Sequence, residues 1–166
     1  MSGAGAALEV RAVVLTVSDR ASAGQSPDES GPAVRQLLED AGFDVGAVQI
    51  LPDVHQLIAQ FLASASVHYQ LVVTTGGTGL GPRDVTPEAT RSVLDYEVPG
   101  LGELMRAAGV RQTPMAALSR SMAGVRGHSL IVNLPGSVAG ARESLAAIVP
   151  VLGHAVQLLA GDTAHR

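Results

Sequence analysis

The stretch LVVTTGGTGLGPRDVTPEAT, residues Leu71 to Thr90, joins an apolar run to four glycines, an Arg-Asp pair and a segment with helix-forming character. The apolar run, Leu71–Thr75, is typical of a strand that is buried on both faces of a parallel sheet. Threonine often caps helices, so Thr86 is a candidate cap, and Pro87 fits the first helical position. The negative charge of Glu88 is favoured near the positive end of a helix dipole. The stretch therefore predicts a strand, a glycine loop and a helix in succession.

Other valine-rich runs alternate with segments of helical period along the chain. The runs Ala12–Ser18 and Ser129–Leu134 predict two more buried strands, and Val45–Leu51 predicts a weaker one. Strands and helices that alternate in this way predict an α/β fold with a mainly parallel sheet.

The helices predicted between these strands have recognisable ends. Ser30 is a candidate cap for a helix that Gly42 ends, and a second helix is centred on Leu57–Leu62. A C-terminal helix begins near Leu145, and we expect Pro150 to kink or split it.

Ligands of open α/β sheets bind beyond the carboxyl ends of the strands. The predicted strand ends carry polar residues and tight turns, so we expect them to meet at one edge. They are Ser18 and Asp19; Leu51, Pro52 and Asp53; Gly76 to Asp84; and Asn133 to Gly136.

The glycine loop is the strongest candidate for contact with phosphate. Its glycines predict positive φ angles and a close approach of backbone N–H groups to a ligand. Thr75 and Thr78 add hydroxyl groups. The spacing matches neither the P-loop nor the dinucleotide-binding motif.

Arg83 and Asp84 at the loop exit have two readings. One is a local ion pair that closes the turn. The other has Arg83 contacting phosphate oxygens while Asp84 holds a divalent cation or orients a nucleophile. The candidate acid Asp53 on a neighbouring strand end favours the second reading.

The composition argues against several functional classes. The 166 residues fit one domain, and the net charge of −4 argues against a surface for nucleic acid or anionic membrane. The absence of Cys excludes disulfides and thiolate metal sites. The N-terminus lacks the pattern of a signal peptide, so we expect an intracellular protein that does not span a membrane.

Several segments in one order resemble the molybdopterin adenylyltransferase family, which includes the bacterial Mog and MoaB proteins and the G domain of gephyrin. The resemblance extends from about Val10 to Leu159. The segments are LTVSDRASAG (Leu15–Gly24), DESGPAV (Asp28–Val34), LPD (Leu51–Asp53), TTGGTGLGPRDVTPEAT (Thr74–Thr90), VPGLGELMR (Val98–Arg106), LSR (Leu118–Arg120) and IVNLPGS (Ile131–Ser137).

The resemblance implies a three-layer α/β sandwich like that of molybdenum cofactor biosynthesis proteins. It implies Mg²⁺-dependent transfer of AMP from ATP to the terminal phosphate of molybdopterin, with release of pyrophosphate. A cytoplasmic homotrimer is implied as well, with the molybdenum-insertion protein of the same pathway as a further partner. The expected organisation is a mobile tail over residues 1–9, one molybdopterin-binding domain over 10–160 and a C-terminal tail over 161–166.

The resemblance also assigns roles to individual residues. Asp53 and Asp84 match the catalytic aspartates and are the expected Mg²⁺ ligands. The expected molybdopterin and phosphate contacts are Thr75, Gly76, Gly77, Thr78, Gly79, Arg83 and Ser119. The expected nucleotide contacts are Ser18, Asp19, Asn133, Pro135 and Gly136, although Asp19 also fits an ordinary turn after a strand.

Two other functions stay open at this point. One is a molybdopterin-binding or scaffold protein with little turnover, which the intact Asp53 and Asp84 disfavour. The other is a different nucleotide-processing enzyme on the same fold, similar to the CinA-like proteins.

Overall fold

The computed structural model describes residues 9–162. The predicted tails fall almost wholly outside this part, because residues 1–8 and 163–166 are not described. The strands are β1 (Arg11–Val17), β2 (Asp44–Val45), β3 (Gln49–Leu51), β4 (Leu71–Thr75), β5 (Tyr96–Glu97), β6 (Ala123–Arg126) and β7 (Ser129–Leu134). The α-helices are α1 (Asp19–Ser22), α2 (Ser30–Asp40), α3 (His55–His68), α4 (Thr86–Arg91), α5 (Pro99–Val110) and α6 (Val138–Leu159), with a 3₁₀ helix at Pro114–Leu118.

The strands form one sheet in the order β2-β1-β4-β7-β6-β5, and β3 also pairs with β1. β1 runs parallel to β2, β3 and β4, and β4 runs parallel to β7. β6 and β5 add an antiparallel edge. The prediction of a mainly parallel sheet is confirmed. The weak strand predicted at Val45–Leu51 is broken into β2 and β3, which pair with opposite ends of β1.

Helices cover both faces of the sheet, so the fold is a three-layer sandwich. Alternate residues of β1 enter the two layers: Val14 packs with one core and Val13 with the other. The first core contains Leu38 of α2 and Leu145 of α6. The second contains Ile58 of α3 and Ala89 of α4. Continuous apolar strands are required here because neither face of the central sheet meets water.

Two details of the predicted helices are corrected by the structure. Ser30 is the buried first residue of α2 and does not cap it. Asp28 accepts a hydrogen bond from the N–H of Gly31 at 3.0 Å and so satisfies one of the free N–H groups of the first turn. Gly42 ends the helix as predicted, with φ +95°.

The C-terminal helix is continuous past Pro150, so the prediction of a split is wrong. Proline leaves the carbonyl four residues earlier, that of Ala146, without a helical donor. Pro150 and Ala146 are both exposed, so water can satisfy this carbonyl. No helix within residues 9–162 has the length and apolar character that a bilayer span requires.

Candidate active site

The carboxyl ends of four parallel strands meet at one edge of the sheet, as the sequence predicts. Ser18 beyond β1 donates its N–H to the carbonyl of Leu51 at 2.9 Å. Gly76 beyond β4 donates its N–H to the carbonyl of Leu134 at 3.1 Å. The strand pairing therefore continues into the first residue of each turn and fixes where the turns begin.

Gly76 and Gly77 need to be glycine for two separate reasons. Both have positive φ, +102° and +69°. A Cβ on Gly76 would lie 2.2 Å from the carbonyl oxygen of Val17, and a Cβ on Gly77 would lie 2.2 Å from the hydroxyl of Thr86. The turn after β4 thus passes directly against β1 and the start of α4.

The predicted positive φ at Gly79 and Gly81 is wrong, because positive φ in this loop is confined to Gly76 and Gly77. A Cβ on Gly79 or Gly81 would lie 2.8 or 2.9 Å from Oδ2 of Asp84. Glycine is therefore needed at these two positions because a side chain would clash with the carboxylate of Asp84, and not because the backbone has an unusual conformation.

Thr86 does not cap α4 with its side chain. Its hydroxyl donates to the carbonyl of Gly76 at 3.0 Å, and its N–H donates to the carbonyl of Gly77 at 3.1 Å. Pro87 is the second residue of the helix, one position later than predicted. Thr86 therefore ties the helix to the glycine turn, because its side chain faces the turn and is fully buried.

Asp53 follows β3 and is held by Asp19, which follows β1. The N–H of Asp19 donates to Oδ2 of Asp53, and the N–H of Asp53 donates to Oδ1 of Asp19, both at 3.0 Å. Ser18 caps α1 by accepting the N–H of Ala21 at 3.1 Å. The orientation of Asp53 is thus fixed by the backbone of the neighbouring strand end.

Arg83 pairs with Asp19 and not with Asp84, so the reading of a local ion pair is wrong. Its Nε and Nη2 each donate to an oxygen of Asp19 at 2.9 Å. This bidentate pair is the main reason that the pKa of Asp19 is lowered and that of Arg83 is raised. The side chains are 64% and 41% exposed, so the pair orders the surface more than it stabilises the fold.

Asp84 folds back over its own loop. Its Oδ2 accepts the N–H of Gly81 at 2.9 Å, and its own N–H donates to the carbonyl of Gly81 at 3.0 Å. Within residues 9–162, no protein donor bonds to Oδ1 of Asp84 or to Oδ1 of Asp53. Each carboxylate therefore has one oxygen fixed by the backbone and one oxygen available to a ligand.

The environment of Asp53 disfavours its charged form. Burial is the largest effect and raises the pKa of Asp53; the N–H of Asp19 opposes this rise, and the negative charges of Asp19 and Asp84 add to it. A cation that bound beside Asp53 would remove this disadvantage.

Asp53 and Asp84 line the same cavity, which has a volume of about 400 Å³ and is called the polar cavity below. Four carboxylates line it, and none of its described lining residues is Arg or Lys. The lining residues are Thr16, Val17, Ser18, Ala21, Pro27, Asp28, Glu29, Ser30, Asp53, Thr75, Gly76, Gly77, Asp84, Gly136, Ser137 and Val138.

A second cavity of about 540 Å³ adjoins the polar cavity, and the two share Gly136 and Ser137. Its walls combine apolar side chains with a few polar groups. It is lined by Thr78, Gly79, Leu80, Met105, Arg106, Gly109, Gln112, Thr113, Met115, Ala116, Leu118, Ser119, Pro135, Gly136, Ser137, Ala139, Gly140, Glu143 and Ser144.

The structure brings most of the predicted site residues to these cavities but divides them differently from the prediction. Of the predicted molybdopterin and phosphate contacts, Thr75, Gly76 and Gly77 line the polar cavity, whereas Thr78, Gly79 and Ser119 line the second. Of the predicted nucleotide contacts, Ser18 lines the polar cavity, Pro135 the second, and Gly136 both.

Three predicted contacts line neither cavity. Asp19 and Arg83 are engaged with each other beside the polar cavity. Asn133 is fully buried in the sheet, where its amide donates to the hydroxyl of Thr74 at 3.0 Å. Its position in β7 places it before the strand end, since Pro135 is the first residue beyond the strand.

Several lining residues have no role predicted from the sequence, and two of them, Ser137 and Arg106, make informative contacts. Ser137 lies on the wall between the cavities and caps α6 by accepting the N–H of Gly140 at 3.0 Å. A serine just before a helical segment is a signal that could have identified it. Arg106 lines the second cavity and donates to the carbonyl of Ser121 at 2.7 Å, a contact that no local pattern indicates.

Comparisons with known proteins identify the family of this chain. The family described as "Probable molybdopterin binding domain" matches residues 13–154. A protein of Helicobacter pylori named molybdopterin adenylyltransferase is 44% identical over 153 residues, which are 90% of this chain and 87% of that protein.

Solved structures of molybdopterin biosynthesis proteins are also similar to this chain. The molybdopterin biosynthesis enzyme MoaB of Thermus thermophilus has a TM-score of 0.86 and 52% identity, over 92% of this chain and 97% of that one. The molybdopterin biosynthesis Mog protein of Mycobacterium ulcerans has a TM-score of 0.85 and 39% identity, over 92% and 97%. With the domain match, these identities place the chain in the molybdopterin adenylyltransferase family, among proteins with the molybdopterin-binding domain.

Proposed function

We propose that this protein is a molybdopterin adenylyltransferase that transfers AMP from ATP to the terminal phosphate of molybdopterin. The observation that carries the proposal is the pair of adjoining cavities with a shared wall, one of which presents Asp53 and Asp84. Transfer between two large substrates needs neighbouring sites whose reactive ends meet. The relatives with this name support the same reaction.

The polar cavity has the charge expected of a site for metal-bound phosphates. Asp28, Glu29, Asp53 and Asp84 would repel a bare triphosphate. Asp28 is already engaged, because its two oxygens accept the hydroxyl of Thr16 at 2.8 Å and the N–H of Gly31 at 3.0 Å. Glu29 is exposed, whereas Asp53 and Asp84 are partly buried and each has one oxygen fixed and one free. These two carboxylates are therefore the groups best placed to accept a cation.

These two carboxylates fit Mg²⁺, which in nucleotide sites is usually bound by one or two carboxylates, phosphate oxygens and water. Bound there, Mg²⁺ would neutralise phosphate charge and polarise the phosphoryl oxygens. Asp53 and Asp84 would hold it through Oδ1, while Oδ2 of each stays fixed on a backbone N–H.

The chain's own task is alignment and charge balance. An oxygen of the terminal phosphate of molybdopterin attacks the α-phosphorus of ATP, a new P–O–P bond forms, and the bond to the β-phosphate breaks to release pyrophosphate. No residue forms a covalent intermediate. The turn of Gly76 and Gly77 lets the phosphates approach the backbone closely, which helps to align them for the transfer.

The second cavity suits a planar heterocycle. Met105, Met115 and Leu118 provide apolar contact, and Gln112 and Thr113 provide hydrogen-bonding groups for the ring edge. The ring of one substrate would lie there, with its phosphate directed past Gly136 into the polar cavity. The homotrimer, the cytoplasmic location and the molybdenum-insertion partner are further parts of the proposal, to be tested by light scattering, cell fractionation and affinity capture of that partner.

The test is mass spectrometry of an anaerobic mixture of protein, molybdopterin, ATP and Mg²⁺. We expect the mass of adenylylated molybdopterin with wild type and with the control variant Asp44→Ala. Asp44 is an exposed residue of β2 that pairs with Arg11 at the start of β1, away from the strand ends that form the cavities. We expect no such mass with Asp84→Ala or with EDTA. Folded wild type that binds molybdopterin without forming the adenylate would favour a scaffold protein, and cleavage of nucleotides without molybdopterin would favour a CinA-like enzyme.

A further inference from the structure

Arg120 forms hydrogen bonds with both ends of the loop that carries Asp84. Its backbone N–H donates to the carbonyl of Thr78 at 2.9 Å, and its Nε donates to the carbonyl of Gly79 at 2.8 Å. Its Nη2 donates to the carbonyl of Asp84 at 2.9 Å, and its Nη1 pairs with Glu88 at the start of α4. One side chain thus spans the whole segment between the glycine turn and the helix.

The segment that Arg120 spans needs such support. Residues 80–83 are exposed and carry no regular secondary structure. Within the loop, Gly81 and Asp84 bond to each other, which fixes the carboxylate relative to the loop but not the loop relative to the sheet. One connection of the loop to the sheet edge is the exposed ion pair of Arg83 with Asp19. Arg120, from a segment 36 positions away, supplies a second connection that is partly buried.

The backbone on both sides of Arg120 is held in place by hydrogen bonds from α5. Arg106 of α5 donates to the carbonyls of Ser119 and Ser121, at 3.4 and 2.7 Å, on either side of Arg120. The hydroxyl of Ser119 donates to that of Ser121 at 2.9 Å. The loop is therefore tied through Arg120 to α5, which packs on the core through Met105.

We propose that Arg120 is a positioning residue that sets the place of the Asp84 carboxylate without contacting substrate. It lines neither the polar cavity nor the second cavity, and faces a separate depression of about 290 Å³. The proposal rests on the role proposed above for Asp84. It adds that the loop geometry comes from a residue outside the site.

A guanidinium is needed for this role. Its nitrogens lie in one plane at fixed angles, so a single group reaches the carbonyls of Gly79 and Asp84 and the carboxylate of Glu88 together. A lysine ammonium has one nitrogen and cannot bridge acceptors at both ends of the loop. Arg120→Lys keeps the charge and most of the stem, and therefore separates the geometry of the fork from its charge.

The test compares Arg120→Met and Arg120→Lys with Arg126→Met. Arg126 is a matched control, because it is also partly buried and donates to a backbone carbonyl, that of Val93 at 2.8 Å, away from both cavities. We measure kcat, the Kd of Mg-ATP, thermal stability, and hydrogen exchange of the Gly81 amide. The exchange measurement does not depend on any activity.

We expect both Arg120 variants to lose about 10- to 100-fold in kcat, as misplacement of a reacting group commonly does, with the nucleotide Kd changed less than about threefold. Gly81 exchange should accelerate in both, whereas Arg126→Met should lose stability and keep kcat and Gly81 exchange at wild-type values. Full kcat in Arg120→Lys, or a kcat loss that Arg126→Met reproduces at equal stability, would overturn the proposal. If Arg120→Met does not fold, the kcat and the Gly81 exchange of Arg120→Lys decide whether the proposal holds.

If wild type makes no adenylate, the proposed function fails, and the exchange of Gly81 still decides whether Arg120 orders this loop. Unchanged exchange in folded Arg120→Lys and Arg120→Met would overturn the positioning role by itself.

Discussion

Asp19 and Asp53 each accept a hydrogen bond from the backbone N–H of the other, both at 3.0 Å. This reciprocal contact joins the ends of β1 and β3 and leaves Oδ1 of Asp53 without a protein donor among the described residues. The other hydrogen bonds of the Asp19 carboxylate come from Arg83. Both oxygens of the Asp19 carboxylate are thus engaged with Asp53 or Arg83, and we expect Asp19 to act on the site by orienting Asp53.

The first prediction concerns the charge of Asp84. Asp84→Asn keeps an oxygen that can accept the N–H of Gly81 but loses the negative charge. We expect kcat to fall by about 100-fold or more with little change in stability, because the loss of one preorganised electrostatic group at a reaction centre has an effect of this size. Adenylate formation and thermal melting should be measured together. Wild-type turnover in Asp84→Asn would exclude the proposed role, and Asp44→Asn is the matched control.

The second prediction concerns stability as a function of pH. Burial raises the pKa of Asp53, so folding favours its neutral form. The corresponding stability is present below the pKa of the unfolded chain and is lost as pH rises through the higher pKa of the folded protein. The free energy of unfolding of wild type, relative to Asp53→Asn, should therefore decrease as pH rises from about 3 to 7.

Denaturant titrations of both proteins at each pH check this. The difference in free energy of unfolding between wild type and Asp53→Asn could instead stay constant or grow with pH. Either result would mean that the fold does not disfavour the charged form of Asp53. Saturating Mg-ATP should reduce the pH dependence, because a bound cation stabilises the charged form.

The third prediction concerns the glycine turn. Gly76→Ala combines a φ of +102° with a Cβ 2.2 Å from the carbonyl oxygen of Val17, so we expect a loss of about 3 kcal/mol of stability. Gly153 in α6 has ordinary φ and no atom within 4 Å of its added Cβ. Gly153→Ala should stabilise by about 0.5–1 kcal/mol. Urea unfolding of the two variants should give opposite signs.

The fourth prediction concerns the pair of Asp19 and Arg83. Both act on Asp53 through the same set of bonds, so their effects should not add. We expect the double variant Asp19→Ala/Arg83→Met to lose about as much kcat/KM as the more damaging single variant. Losses that multiply would indicate that Arg83 contacts substrate independently of Asp19.

Much of the fold could be predicted because its strands are continuous apolar runs. Leu71–Thr75 and Ser129–Leu134 have the bounds predicted from the sequence, since only a strand covered on both faces tolerates such runs. The meeting of Asp53 and Asp84 in one cavity followed from the parallel order, which brings strand ends to one edge.

The errors concern contacts between residues that are distant in the chain. Arg83 is adjacent to Asp84, yet it pairs with Asp19, 64 positions away. Thr86 has the character of a cap but bonds to Gly76 because the turn passes beneath it. Local chemistry suggests which groups need partners, whereas the packing of the sheet decides which partners they find.

The pairing of β4 with β7 has a consequence for how the protein is made. Thr74 and Asn133 are register partners 59 positions apart, and the wall between the cavities, Gly136 and Ser137, follows β7. A growing chain therefore cannot close either cavity until residues beyond 137 have left the ribosome, and until then one edge of β4 stays unpaired. Such non-local pairings slow folding and expose strand edges to aggregation. We expect newly made protein to depend on chaperones more than its modest length suggests.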